Sequence, residues 1–204
     1  MIIKKIPAGV YAANCYIVVD EETRETAVID PGGDYEELLS TVIELDCKIK
    51  YILLTHGHAD HTGAVIDFIN KYSVPLGINK KDWDLMVSGE FMFGEVNSFS
   101  KDFEYIEIKD GKSFNLGKNI IECIETPGHT PGGMSFLTGT YLFTGDTLFS
   151  GSIGRTDLVG GDFNTIITSI KTKLLPLSLD TIVYPGHGPN STIDREKKHN
   201  PFLH

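Results

Sequence analysis

A short, unbroken apolar run, Tyr51-Ile52-Leu53-Leu54, passes directly into Thr55-His56-Gly57-His58-Ala59-Asp60-His61. Such a run reads as a strand buried on both faces. The fold therefore has to cover a sheet from two sides and still leave one strand end open to polar chemistry. Three more polar clusters follow the same rule, each in a loop just past an apolar strand. They are His129 in Thr126-Pro127-Gly128-His129-Thr130, Asp146 in Thr144-Gly145-Asp146-Thr147, and His187 in Pro185-Gly186-His187-Gly188.

The flanking pattern supplies the layers. Strands are expected at about 2–6, 13–19 and 24–30, then the turn Asp30-Pro31-Gly32-Gly33 and a helix capped by Asp34, with Leu38, Leu39, Val42 and Leu45 at helical spacing. After the 51–54 strand come a helix carrying Val65, Phe68 and Ile69, a strand at 74–78, and a helix near 80–87 in which Trp83 serves as a core or surface-covering residue. The second half repeats the scheme, with strands at about 103–108, 119–126, 133–138 and 140–144, a helix at 162–174 and a strand at 180–184. A charged terminal helix, Asp194 to Lys198, follows, capped by Asn190 or Ser191. Strands followed by strand–helix units, twice over and with no low-complexity linker, predict an α/β chain. The expected architecture is a four-layer αββα sandwich, two mixed sheets face to face with helices outside, formed as one domain over 1–204. Ser88 to Lys101 is the least regular stretch. Phe91, Met92, Phe93 and Phe99 within it form either a lid over a site or the core of an irregular connection.

Composition narrows the function classes. A chain of 204 residues with 41% hydrophobic and 23% charged content is globular, not disordered or fibrous. At that length folding buries roughly 70% of the unfolded chain's surface, so no disulfide staple is needed. Cys15, Cys47 and Cys123 are odd in number, far apart and in no CxxC pair, and read as small apolar residues of a reducing, cytoplasmic compartment. Pro7, Gly9 and Asn14 interrupt the apolar stretch after Lys4 and Lys5, which speaks against an export signal, and no segment reaches the ~20 apolar residues of a membrane span. Eighteen Lys and Arg against 28 Asp and Glu leave a net charge of −10 with no basic run, which disfavours nucleic acid and anionic lipid as partners.

Imidazoles and carboxylates without a nearby thiol suit borderline divalent ions, zinc first, with iron or manganese as alternatives, and seven donors are too many for one tetrahedral ion. Two ions are implied. His56, His58 and His129 would hold the first, Asp60, His61 and His187 the second, and Asp146 would bridge them at about 3.5–4 Å with a shared water or hydroxide as nucleophile. Asp60 would also orient that nucleophile, which makes Asp60 and Asp146 the catalytic candidates. A purely structural site would close its shell with four ligands, often Cys. His199 and His204 stand alone and read as surface residues.

The HxHxDH cluster, the Thr-Pro-Gly-His-Thr-Pro-Gly segment at 126–132, Gly145-Asp146-Thr147-Leu148-Phe149 and Pro185-Gly186-His187-Gly188 together resemble the metallo-β-lactamase superfamily. Ser150-Gly151-Ser152-Ile153-Gly154-Arg155-Thr156-Asp157, Arg195-Glu196 and Asn200-Pro201-Phe202 are similar to its short glyoxalase II-like branch. The resemblance implies the αββα fold, the seven ligands named above, and hydrolysis of a thioester such as S-lactoylglutathione. The chain is expected to lack the C-terminal helical domain with which full-length glyoxalase II grips glutathione. Where that family sets a Lys and a Tyr against glutathione, this chain reads Arg155 and Asp157, either substrate-binding residues or a local ion pair that shapes the loop. The other readings are a persulfide dioxygenase, whose branch shares the Gly-Arg-Thr-Asp segment and binds one iron through two His and one Asp, a lactonase, and a metal-binding module without turnover. Gly188-Pro189 and the complete second ligand set favour the hydrolase. The expected partner is a small-molecule thioester; the sequence does not give an oligomeric state.

Overall fold

The computed structural model of the chain describes residues 1–89, 99 and 102–204. The first half runs β1 (Ile2–Ala8), β2 (Ala13–Val19), β3 (Glu25–Ile29), α1 (Tyr35–Glu44), β4 (Lys48–Leu53), α2 (Ala59–Thr62), α3 (Val65–Tyr72), β5 (Leu76–Ile78), α4 (Lys80–Ser88) and β6 (Ile106–Glu107). The second half runs β7 (Ser113–Leu116), β8 (Asn119–Glu125), β9 (Met134–Thr138), β10 (Tyr141–Gly145), β11 (Leu148–Phe149), β12 (Ser152–Ile153), α5 (Phe163–Ser169), β13 (Ile182–Pro185), β14 (Ser191–Thr192) and α6 (Ile193–His199). One sheet has the order β1-β2-β3-β4-β5-β6 and the other β14-β13-β10-β9-β8-β7, while β11 and β12 form a separate ribbon. Both sheets are mixed: β3, β4, β5 and β6 run parallel, as do β10 and β13, and the remaining pairs are antiparallel.

Three apolar seams hold four layers together, and single strands feed two seams at once because successive side chains point to opposite faces. Along β2, Cys15, Ile17 and Val19 pack with Leu38, Val42 and Phe68 of the helices outside, whereas Tyr16 and Val18 pack with Phe136 and Phe143 of the opposite sheet. Every residue of β2 is consequently buried. Leu142 and Val183 close the third seam against Ile166, Ile170 and Leu174. Each such side chain contributes about 1.5–3 kcal/mol on burial. The αββα sandwich is thus the fold, and Cys15, Cys47 and Cys123 are free thiols, the first and last buried in its seams. No helix among the described residues is long and apolar enough to cross a membrane.

Several boundaries differ from the sequence expectation for identifiable reasons. Asp34 precedes α1 in a left-handed conformation (φ 46°), which turns its carboxylate away from the helix, and that carboxylate accepts instead from Gly9 N–H at 2.7 Å. Thr192, not Asn190 or Ser191, caps α6 by accepting from Arg195 N–H, because the Ser191 hydroxyl is buried against Glu196. The 103–108 strand shrinks to 106–107 because Phe103 and Tyr105 turn onto Trp83, the latter stacked at 4.5 Å between ring centroids. The helix at 162–174 is α-helical only through Ser169, and then widens to a π-helical turn over Ile170–Leu174. Four short strands, β7, β11, β12 and β14, are additional. Of the irregular stretch, Phe91, Met92 and Phe93 lie outside the described residues, while Phe99 is buried against Trp83 and Phe103.

The topology brings one edge of each sheet together. The loops after β4 and β5 leave one sheet on the same side, and those after β8, β10 and β13 leave the other sheet at a common edge, since β8 and β10 are both antiparallel to β9. Bonds between the sheets fasten those edges: Asn14 N–H donates to Gly186 O at 2.7 Å, Tyr16 Oη to Pro185 O at 2.6 Å, and Met134 N–H to Thr55 O at 2.8 Å.

Candidate metal centre

All seven candidate ligands converge at this edge. His56 and His58 leave β4 in an extended turn, Asp60 and His61 lie in the single turn of α2, and His129, Asp146 and His187 follow β8, β10 and β13. The donor atoms of His56, His58 and His129 lie within 4.8 Å of one another, as do those of Asp60, His61 and His187. Asp146 stands between the trios, with Oδ2 at 3.6 Å from His129 Nε2 and 3.7 Å from His187 Nε2, and Oδ1 at 3.5 Å from His61 Nε2. Asp60 Oδ2 is 3.3 Å from His187 Nε2. His199 and His204 are exposed on the surface.

Groups around the rings fix which nitrogen faces the centre. Thr55 donates its hydroxyl proton to Asp30 Oδ2 at 2.6 Å, which leaves the hydroxyl oxygen to accept from His56 Nδ1–H at 3.0 Å. His61 Nδ1–H donates to the same Asp30 oxygen at 3.0 Å, and His129 Nδ1–H donates to the Arg155 carbonyl at 2.7 Å. Each of these rings therefore turns its Nε2 inward. His56 Nε2, His61 Nε2 and Asp146 Oδ1 are buried without a hydrogen-bond partner. Leaving such atoms unpaired costs roughly 1–3 kcal/mol each, and divalent cations at the two trios would satisfy all of them. The donor set fits the group the fold implies.

The ionisation states point the same way. Burial, reinforced by neighbouring imidazoles, holds His56 well below the ordinary histidine value and brings His58 down to about 4, so both are neutral donors at pH 7. Burial opposes ionisation of Asp60 and Asp146, but the facing imidazoles outweigh it and hold both carboxyls below their usual range. His61 lies between Asp146 and Asp30, whose carboxylates outweigh its burial and push it upward, so a proton and a cation compete for its Nε2.

A cleft of about 510 Å³ opens over the cluster, walled by Tyr11, Phe149, Ile153 and Leu158 beside the ligands, with Arg155 in its rim. Arg155 Nε and Nη2 each reach Asp157 at 2.8 Å, a bidentate pair in which both side chains are exposed. Two buried carboxylates beside the cluster, Asp30 and Asp82, escaped the sequence reading. Asp30, which the sequence places in a turn, orients His61 directly and His56 through the Thr55 hydroxyl; its one available signal is its place at the end of an apolar strand, the position the candidate ligands occupy. Asp82 gave no local signal.

A two-sheet αββα sandwich that gathers five imidazoles and two carboxylates at one edge is the architecture of a metallo-hydrolase class. A sequence model described as the metallo-beta-lactamase superfamily matches residues 8–187, and the chain belongs to that superfamily, which implies divalent metal binding. It is 41% identical over 211 residues to hydroxyacylglutathione hydrolase GloC of Haemophilus influenzae, covering 100% of this chain and 98% of that protein. Among solved structures it is similar to the BLEG-1 B3 metallo-beta-lactamase, with a TM-score of 0.90, 36% identity and 99% of each chain covered. It is also similar to TTHA1623 in a di-iron-bound form, with a TM-score of 0.88, 32% identity, and 98% of this chain and 100% of that one covered.

Proposed function

We propose that the protein is a cytoplasmic hydrolase of small thioesters, similar to glyoxalase II, that uses two divalent cations, zinc foremost, with iron or manganese as alternatives. The observation that carries this reading is the pair of three-donor sets facing one carboxylate, Asp146, beneath an apolar-walled cleft. The name of the Haemophilus relative supports the thioester, and the di-iron form of TTHA1623 supports the pair of cations. Three free cysteines support the compartment.

Cations held there would supply Lewis acidity and acidify water toward a pKa of about 7. The chain's residues do the rest. His56, His58 and His129 form one ligand set, Asp60, His61 and His187 the other, and Asp146 spans them. Asp60 would orient the attacking water while serving as a ligand. Tyr11, Phe149, Ile153 and Leu158 exclude bulk water from the substrate's carbonyl. The water oxygen bonds to the carbonyl carbon, the C–S bond breaks and the sulfur leaves as a thiolate that takes up the proton the water loses, giving a carboxylic acid and a thiol. A thiolate with a parent pKa near 8.5 leaves with little acid assistance, which favours thioesters over amides. A net charge of −10 makes nucleic acid an unfavourable substrate.

The test is metal analysis of the purified protein, combined with thioester cleavage followed as free thiol, with and without added zinc, manganese or iron. Metal-dependent thiol release supports the reading, and its absence refutes it. The trio Asp60, His61 and His187 is also a two-histidine, one-carboxylate set of the kind that holds non-haem iron. Oxygen uptake with a persulfide and stoichiometric iron would therefore reassign the protein as a dioxygenase.

A further inference from the structure

Asp82 lies in the first turn of α4, on the helical layer outside the sheet, yet it is fully buried. Its Oδ2 accepts from Gly57 N–H at 3.1 Å and from the Thr130 hydroxyl at 2.7 Å, and its Oδ1 accepts from Gly132 N–H at 2.6 Å. Gly57 separates His56 from His58, and Thr130 follows His129, so one carboxylate joins the two turns that carry the first ligand trio. The approach is close enough to require glycine at 132, where an added Cβ would lie 2.6 Å from Asp82 Oδ1. Burial raises the carboxyl to about 6 against the pull of Thr130, Gly132 and Gly57. Trp83, the next residue, anchors α4 through Phe103 and Tyr105.

We propose that Asp82 is a positioning residue for one of the two cation sites: by joining Gly57, Thr130 and Gly132 it sets the distance between the His56–His58 turn and His129. The inference rests on the two-cation reading above. Asp60, His61 and His187 receive none of these bonds, so the effect belongs to one site alone. Asn at this position offers one acceptor oxygen in place of two, and its amide group confronts an N–H donor.

The experiment titrates metal-free Asp82→Asn, Thr130→Val and wild type with zinc against a chromophoric chelator, alongside thermal unfolding of each metal-free protein. Asp84→Asn, on the same helix but exposed and paired with Lys80, is the control. Wild type is expected to show two binding steps. In Asp82→Asn one step should weaken by about 10–100-fold, the range seen when a group supporting a metal ligand is removed, and in Thr130→Val the same step should weaken less. The other step, and both steps of Asp84→Asn, should be unchanged. Unchanged steps in Asp82→Asn would overturn the inference, and so would a lowered melting temperature with unaltered zinc affinity, since that marks a merely structural role. Equal weakening of both steps would overturn it too. Wild type that binds no cation would overturn the proposed function along with it.

Discussion

Replacing Asp30 by Asn changes only one atom and one charge, yet the geometry leaves the amide no good orientation. Asp30 Oδ1 accepts from Thr55 N–H at 2.7 Å, while Oδ2 accepts from both the Thr55 hydroxyl and His61 Nδ1–H. If the amide oxygen takes the Oδ1 place, the NH2 group faces His61 Nδ1–H. The ring then loses its partner or moves its proton to Nε2, the atom that faces Asp146. If the amide is reversed, the NH2 group confronts Thr55 N–H. Either way one donor faces another at a site with no access to water, and a bond to a charged acceptor is lost. Bonds of that kind contribute about 1.5–3 kcal/mol, and the stranded donor adds to the loss, so metal-free Asp30→Asn should be destabilised by about 3 kcal/mol. With a urea slope of about 1–3 kcal/mol/M, the unfolding midpoint should fall by at least about 1 M. Zinc competition should also show an affinity about 10–100-fold lower, since both trios depend on Asp30, one through His56 and the other through His61. A variant whose urea midpoint and zinc affinity both match wild type would refute the assignment of Asp30 as the shared support of the two histidines.

Other outcomes follow from the same geometry. Chelation should abolish thioester cleavage and added zinc, manganese or iron should restore it; full turnover in protein shown to be metal-free by elemental analysis would reject the mechanism. His58→Ala and Asp146→Ala should lose turnover while circular dichroism shows an intact fold, because neither side chain packs in the apolar seams. Gly32→Ala would place its Cβ 1.8 Å from the Asp60 carbonyl oxygen, so denaturant unfolding should record a loss near the upper end of the roughly 1–3 kcal/mol range for overpacking. Asp157→Asn should release the Arg155 guanidinium from its bidentate partner. The ratio of kcat/KM for a carboxylate-bearing thioester over a neutral one should then rise up to about fivefold, the equivalent of a surface ion pair; an unchanged ratio would show that Arg155 does not meet the substrate.

What the sequence disclosed and what it concealed divide along a physical line. The strand from Tyr51 to Leu54 was legible because burial on both faces leaves a continuous apolar run, and the HxHxDH turn because its four candidate donors crowd just past one strand end at close spacing. The sandwich followed from the same local signals repeated, although two-residue strands such as β11 and β14 carry too little pattern to be read. Asp34 and Ser191 show the limit at helix ends: both have capping chemistry, but tertiary partners, Gly9 N–H and Glu196, claim their side chains. Asp30 and Asp82 lie further beyond local reading. In Asp-Pro-Gly-Gly the turn explains the aspartate without remainder, and beside Lys80, Lys81 and Asp84 a further acid resembles one more solvated charge. Their partners lie from 25 to 50 residues away in sequence. A ligand is specified by what it must touch, a cation that admits few donor types, whereas a positioning carboxylate is specified by where the folded chain happens to present an N–H. Only the assembled sheet edges define that place, and the same assembly that hides these two acids from the sequence lets them tie together the turns that carry the candidate ligands.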